Sequence, residues 1–158
     1  MYKKADLKDA DLILDFCLEL KSQDVKMSFT SMDNLEEVID ELKSLKTNLY
    51  IAIEDDMLVA MFRAIRGEGN KSHACYVACA VKKEYRQKHL ATDLTNYGLA
   101  DMKSQGVLIA RTKIYSWNKA SIKTIEKCGF VLGGRVVMHQ YEPELGDYID
   151  DLIYHKIL

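Results

Sequence analysis

The chain has a single proline, Pro143, and eight glycines in 158 residues, and neither is clustered. A linker, a low-complexity tract and an internal repeat are all missing, so nothing divides the sequence, and its length fits one domain, 1–158, with one sizeable core. No apolar run approaches the roughly 20 residues that cross a bilayer. Met1-Tyr2-Lys3-Lys4-Ala5-Asp6 leads into no apolar signal core, so the expected location is the cytoplasm, with no membrane partner. An excess of one charge is lacking as well. Lys and Arg total 22 against 24 Asp and Glu, a formal charge of −2, which excludes a nucleic-acid surface built on bulk positive charge. Cysteine is sparse. Cys17, Cys75, Cys79 and Cys128 lie among apolar neighbours, and no second Cys/His pair with zinc spacing follows Cys75 and Cys79. They read as buried core thiols, and no metal is expected. A Gly-x-x-x-x-Gly-Lys-Ser/Thr loop is absent too, which weakens a nucleotide-binding reading.

With 48% hydrophobic and 29% charged residues the composition is that of an ordinary soluble globular protein. Tyr2–Leu7 suggests a first strand, with Asp6 or Asp9 capping a helix that places Ile13, Phe16, Cys17 and Leu20 on one face. After a polar interval, Lys21 to Ser28, Asp33-x-x-Glu36 resembles a capping box, followed by a stripe of Leu35, Val38, Ile39, Leu42 and Leu45. Leu49–Ile53 and Leu58–Ile65 form a hairpin around Glu54-Asp55-Asp56. A strand from His73 to Val81 puts His73, Cys75, Val77 and Cys79 on one face. A helix then buries Leu90, Leu94, Tyr97, Gly98 and Met102, with Gly98 marking close approach to the sheet and Gly106 the stop. Val107–Trp117 is a strand, and Asn118 caps a short helix that Gly129 ends. Arg135–Tyr141 and Tyr148–Leu158 form a terminal hairpin. The expected class is α/β, a mixed sheet of order β-α-α-β-β-β-α-β-α-β-β.

The most informative stretch is the strand-to-helix junction from Val81 to Leu94. The first amides of a helix lack intrahelical partners and carry the positive end of its dipole, so a basic loop there suits a phosphate or pyrophosphate. Arg86-Gln87-Lys88-His89-Leu90-Ala91 resembles the Arg/Gln-x-x-Gly-x-Gly/Ala acyl-CoA loop of the GNAT superfamily of N-acetyltransferases, with His89 at the usual glycine. Downstream, Asn118 to Phe130 is similar to that family's second signature, an Asn, a small residue and a closing Gly-Phe. The element order also matches along nearly the whole chain.

The resemblance implies a GNAT-like acyl-CoA N-acyltransferase fold and acetyl-CoA as cosubstrate, held where two neighbouring parallel strands splay apart. Ala80 and Val81 would offer backbone to the pantetheine arm. Gln87, Lys88, His89, Leu90, Ala91 and Thr92 would offer amides to the pyrophosphate, with charge from Arg86 and Lys88. Asn118, with Ser121 beside it, would contact the cofactor arm or cap its helix. The family's usual catalytic groups are replaced: Ile125 stands where many members have a tyrosine acid, and Cys75 where the histone-acetylating branch has a glutamate base.

A general acid adds only about 10²–10⁴-fold, so its absence slows the reaction without stopping it. Deprotonating a lysine-like amine at pH 7 costs about 4.6 kcal/mol, against about 1.4 kcal/mol for an α-amine. A weakly basic amine is therefore the easier acceptor. His73 is the candidate replacement base and Tyr115 the candidate acid. Glu54-Asp55-Asp56 and Asp147, Asp150 and Asp151 are candidate attractors of a cationic amine. The expected activity is acetyl transfer from acetyl-CoA to a primary amine, on a small molecule, peptide or protein, by direct attack in a ternary complex. A homodimer through the terminal strands is compatible with it. A non-catalytic acyl-CoA sensor is the other reading, motivated by Ile125 and Cys75.

Overall fold

The computed structural model describes residues 1–23 and 31–158. Of the polar interval at 21–28, residues 24–28 lie outside them. The strands are β1 (Tyr2–Lys4), β2 (Thr47–Glu54), β3 (Met57–Arg66), β4 (Ala74–Val81), β5 (Ile109–Tyr115), β6 (Val131–Glu142) and β7 (Asp147–Ile157). The helices are α1 (Ala10–Ser22), α2 (Leu35–Lys43), α3 (Leu90–Ser104) and α4 (Lys119–Lys127), so the α/β order is the expected one. The strands form a mixed sheet of order β1-β2-β3-β4-β5-β7-β6. The chain divides into two compact units, Met1–Ile65 with Ala78–Gly98 and Arg66–Val77 with Leu99–Leu158.

In the first unit Asp6 and Asp9 act together. Asp6 accepts from the Lys8 amide at 2.8 Å, and Asp9 accepts from the Asp6 amide at 2.9 Å, closing a capping box on the 3₁₀ turn before α1. The face Ile13, Phe16, Cys17 and Leu20 is buried with Val38, Leu49, Ile51 and Met61 in one apolar cluster. The start of α2 corrects the expected box by one residue. Asn34 is the N-cap, accepting from the Glu37 amide at 3.0 Å, while Glu37 accepts from the Asp33 amide at 2.7 Å. Asparagine caps as well as aspartate, and the shift brings Glu37 to the position that reaches back. Because α2 stops at Lys43, Leu45 falls off the stripe and is exposed, as is Leu35. The β2–β3 hairpin turns through Asp55 and Asp56, both with positive φ.

Gly98 makes the expected close approach. A Cβ there would lie 2.5 Å from the Phe62 ring and 3.0 Å from Tyr50. Tyr97, expected inside, is a rim residue instead, packed edge-on against Tyr50 with centroids 6.1 Å apart. One turn of helix earlier the buried face is shared by Leu94 and Thr95.

In the second unit Arg66 braces the turn before β4, donating to the Ser72 carbonyl at 2.7 Å and the Gln105 carbonyl at 3.0 Å. β4 pairs in parallel with β5 from Ala74 with Ile109 to Tyr76 with Arg111. β5 pairs antiparallel with β7, from Ile109 with Ile157 to Tyr115 with Asp151. α4 covers one sheet face, where Tyr154 donates to Glu126 at 3.2 Å and Lys156 to the Cys128 carbonyl at 2.6 Å. Gly106 and Gly129 follow α3 and α4 at φ +84° each, the left-handed stops expected. β6 is an edge strand of the sheet. It is exposed along most of its length and interrupted by two register shifts, at Leu132/Gly134 and Val136/Gln140.

Candidate active site

β4 leaves the sheet at Val81, where the Lys82 amide still reaches the Val59 carbonyl at 2.9 Å. One 3₁₀ turn, Lys83–Tyr85, follows, and then the chain does something unusual. Gln87 and His89 adopt φ of 63° and 62°, the left-handed region, on either side of Lys88. Alternation of this kind turns successive N–H groups into one concavity, an anion nest. Among the described residues, none of the backbone–backbone hydrogen bonds outside helices and strands uses the amide of Gln87, Lys88, His89, Leu90 or Ala91 as donor. The nest opens onto the N-terminus of α3, whose dipole adds to it. Histidine is among the residues that tolerate a left-handed backbone, so His89 supplies the conformation glycine would have given.

Side chains around the loop are tied down. Arg86 Nε donates to the Val81 carbonyl at 3.3 Å, and Lys88 Nζ lies 4.7 Å from the Tyr85 ring centroid. Cys79 Sγ contacts the Ala91 carbonyl at 4.0 Å. Ala80 is buried and Val81 partly so, with extended backbone at the end of β4. Beside the loop, a cleft of about 570 Å³ is lined by Glu19, Glu54, Asp55, Lys82, Glu84 and Lys88 among others. Two of the acidic residues singled out in the hairpin, Glu54 and Asp55, therefore share a cleft with lysines.

In the second unit Asn118 caps α4, its side chain accepting from the Ser121 amide at 3.1 Å, and its own amide donates to the Tyr115 carbonyl at 2.9 Å. Tyr115, at the end of β5, donates to Gln140 Oε1 at 3.4 Å, and its ring lies 6.5 Å from that of His139. His73 is elsewhere. It is exposed, precedes β4, and its carbonyl accepts from the amides of Leu108 and Ile109 at 2.7 and 3.3 Å. β5 rises roughly 20 Å from Ile109 to Tyr115, so His73 and Tyr115 stand at opposite ends of that strand and do not meet.

Cys75 offers no base. Burial pushes its thiol up to about 11, with the Arg66 charge opposing the shift. Ile125 is a buried core residue of α4. Asp151 is buried opposite Tyr115, and Asp150 pairs with Arg135 at 3.1 Å, so these two are not solvated turn residues. His139 and Gln140 carried no sequence signal, since the register shift that aims them is invisible in a run of alternating residues. Among the described residues no group of His, Cys, Asp and Glu is arranged to hold a metal ion, and no helix is long and apolar enough to cross a membrane.

Solved structures similar to this chain share its fold. An acetyltransferase of the GNAT family from Streptococcus pneumoniae is 16% identical, with 100% of this chain and 99% of that one covered, at a TM-score of 0.85. A ribosomal-protein-alanine N-acetyltransferase from Brucella melitensis is 17% identical over 100% and 99% of the two chains, at 0.84. A spermidine N-acetyltransferase mutant from Vibrio cholerae is 16% identical over 99% and 94%, at 0.78. The sequence matches no curated protein. The profile of the acetyltransferase (GNAT) family matches residues 18–130, well over half of the chain, and spans both the nest and the Asn118–Phe130 segment. The chain is therefore an acyltransferase belonging to the acetyltransferase (GNAT) family.

Proposed function

We propose that residues 1–158 form one N-acetyltransferase domain that moves an acetyl group from acetyl-CoA to a primary amine by direct attack in a ternary complex. The observation that carries this reading is the loop at the head of α3, with Gln87 and His89 both at positive φ and the amides from Gln87 to Ala91 used by no backbone hydrogen bond outside helices and strands among the described residues. Such a nest fits a pyrophosphate. Arg86 and Lys88 add charge at its rim, Thr92 extends it into the first turn of α3, and the extended backbone of Ala80 and Val81 is available to a pantetheine amide. Asn118 and Ser121 fix the start of α4 next to Tyr115, and Tyr115 is the proposed acid. Acetyl-CoA supplies the activated acyl group and the thiol leaving group.

The acceptor is an amine of modest basicity, such as the α-amine of a peptide, since no strong base has replaced the family's glutamate. Relatives of this fold include enzymes named for spermidine and for a ribosomal protein's alanine, so small and macromolecular amines are both within its range. A homodimer along the free edge of β6 belongs to the same reading and is tested by mass in solution. The cytoplasm is the proposed location.

The test is thermal stability with and without acetyl-CoA, followed by free-thiol release with a peptide α-amine, spermidine and a lysine side-chain analogue. A rise in midpoint and thiol release with one of them is expected. A second reading, an acyl-CoA sensor, is favoured by buried Ile125 and the protonated thiol of Cys75. Binding without release on any acceptor would select it.

A further inference from the structure

We propose that the second compact unit carries a binding site for the carboxylate of a small molecule, on the sheet face that α4 leaves uncovered. All of its residues belong to that unit, Arg66–Val77 with Leu99–Leu158. The parallel ladder of β4 and β5 ends with Tyr76 beside Arg111, and the antiparallel ladder of β5 and β7 sets Arg111 opposite His155. Residues in register share a face, so Tyr76, Arg111 and His155 form one row across three strands. Lys113 stands in the next row on that face, opposite Ile153. The α4 helix is on the other face, reached by Tyr154 and Lys156, which alternate with Ile153 and His155 along β7.

The row is open and its charges are unopposed. Tyr76 is 51% exposed although β4 is an interior strand, Lys113 is exposed, and Arg111 and His155 are partly buried. Among the described residues, none of Arg111, Lys113 and His155 takes part in a salt bridge or a side-chain hydrogen bond. Asp151, the nearest carboxylate on this face of the unit, is buried opposite Tyr115, two rows beyond Arg111 and about 13 Å along the strand.

His155 is seated by the first register shift of β6. Gly133 is the extra residue there, between Leu132 opposite Tyr154 and Gly134 opposite Ile153, and a Cβ on it would lie 2.6 Å from His155 Nδ1. The imidazole occupies the room a side chain would take.

A guanidinium offers a planar fork of N–H donors that a carboxylate accepts two at a time, and Lys113 adds positive charge beside it. Apolar side chains border the charged row. Ile109 pairs with Ile157 on one side of it, with Ile157 77% exposed, and Ile153 lies on the other. The occupant that matches both features is a carboxylate joined to an apolar body.

The test is titration of the full chain with benzoate and with hexanoate, followed by ligand-observed NMR, beside benzamide as the uncharged isostere and inorganic phosphate as the other oxyanion. Wild type is compared with Arg111→Gln, Lys113→Gln and Gly133→Ala, and the unfolding midpoint without ligand confirms that each variant is folded. At least one of the two carboxylates should bind wild type, with benzamide and phosphate weaker. Arg111→Gln should weaken that binding about 10-fold or more, and Gly133→Ala, which displaces the imidazole and leaves the arginine in place, by a smaller factor. Lys113→Gln changes only an exposed side chain and should lower the affinity and flatten its dependence on salt. Binding of neither carboxylate to wild type, or equal binding to wild type, Arg111→Gln and Lys113→Gln, would overturn the proposal. Phosphate bound more tightly than either carboxylate would overturn it as well, since the fork would then be serving a different anion.

Discussion

Replacing His89 by valine and, separately, by glycine asks whether the backbone of the loop is what holds the ligand. In the structure His89 sits at φ 62°, two residues after Gln87 at 63°, and its side chain is exposed. A β-branched residue in this conformation costs about 2 kcal/mol, so valine leaves the nest formed in only a few per cent of molecules and weakens acetyl-CoA binding about 30-fold. At a ligand concentration 100 times the wild-type dissociation constant, stabilisation is about 2.7 kcal/mol for wild type and about 0.9 kcal/mol for His89→Val. For a chain of this size that is a rise of roughly 5–11 °C against roughly 2–3 °C. Glycine adopts the same φ without strain but frees the unfolded chain, two effects of similar size, so His89→Gly should stay within about 2 °C of the wild-type shift. Thermal unfolding of the three proteins with and without acetyl-CoA reads this directly. Three equal shifts would refute the reasoning, because a ligand indifferent to the residue at 89 is not being held by that backbone.

Thr95 Oγ1 is buried without a hydrogen-bond partner, so Thr95→Val, which keeps the shape and the β-branch, should raise stability by about 1 kcal/mol, seen as a higher urea midpoint at unchanged slope. Gly98→Ala places a methyl 2.5 Å from the Phe62 ring; the overpacking, about 1–3 kcal/mol, exceeds the helix-propensity gain of about 1 kcal/mol, and the melting temperature should fall. Burial raises the thiols of Cys17 and Cys75 from 9.0 to about 11. The folded state holds these protons more tightly than the unfolded chain, so their contribution is complete below pH 9 and is lost as pH rises towards 11, on the order of 2–3 kcal/mol for each. Denaturant unfolding at pH 8 and pH 10.5 checks this, with Cys75→Ala expected to show the smaller loss.

Periodicity carried most of the architecture. The faces of α1 and α3 and the stops at Gly106 and Gly129 follow from spacing and from what glycine alone tolerates, and Gly98 announced its own contact. Boundaries slipped where a side chain acts over a distance: Glu37 rather than Glu36 closes the cap of α2, and Leu45 fell outside once the helix stopped at Lys43. The nest was legible as a motif, though the conformation of His89 was not, because no local rule sends histidine to positive φ. How far His73 lies from Tyr115 was not legible, for a topological reason. Strand alternation tells which residues share a face and says nothing of which end of a parallel pair they occupy. His139 was hidden because a register shift shows only when both strands are in view.

Gly98 lies eight residues behind Leu90 on one continuous helix, about 12 Å of axial rise. The seat on Phe62 fixes the height of that rod, and with it the elevation of the amides at its tip. A hydrogen bond tolerates only a few tenths of an ångström around 2.9 Å, so raising the rod by a methyl group would detune every amide at once. On the proposed reading, affinity for an anion at the tip would be under remote control by a position that never touches it. A search for variants with graded affinity should begin at that seat, with Phe62 made smaller to compensate.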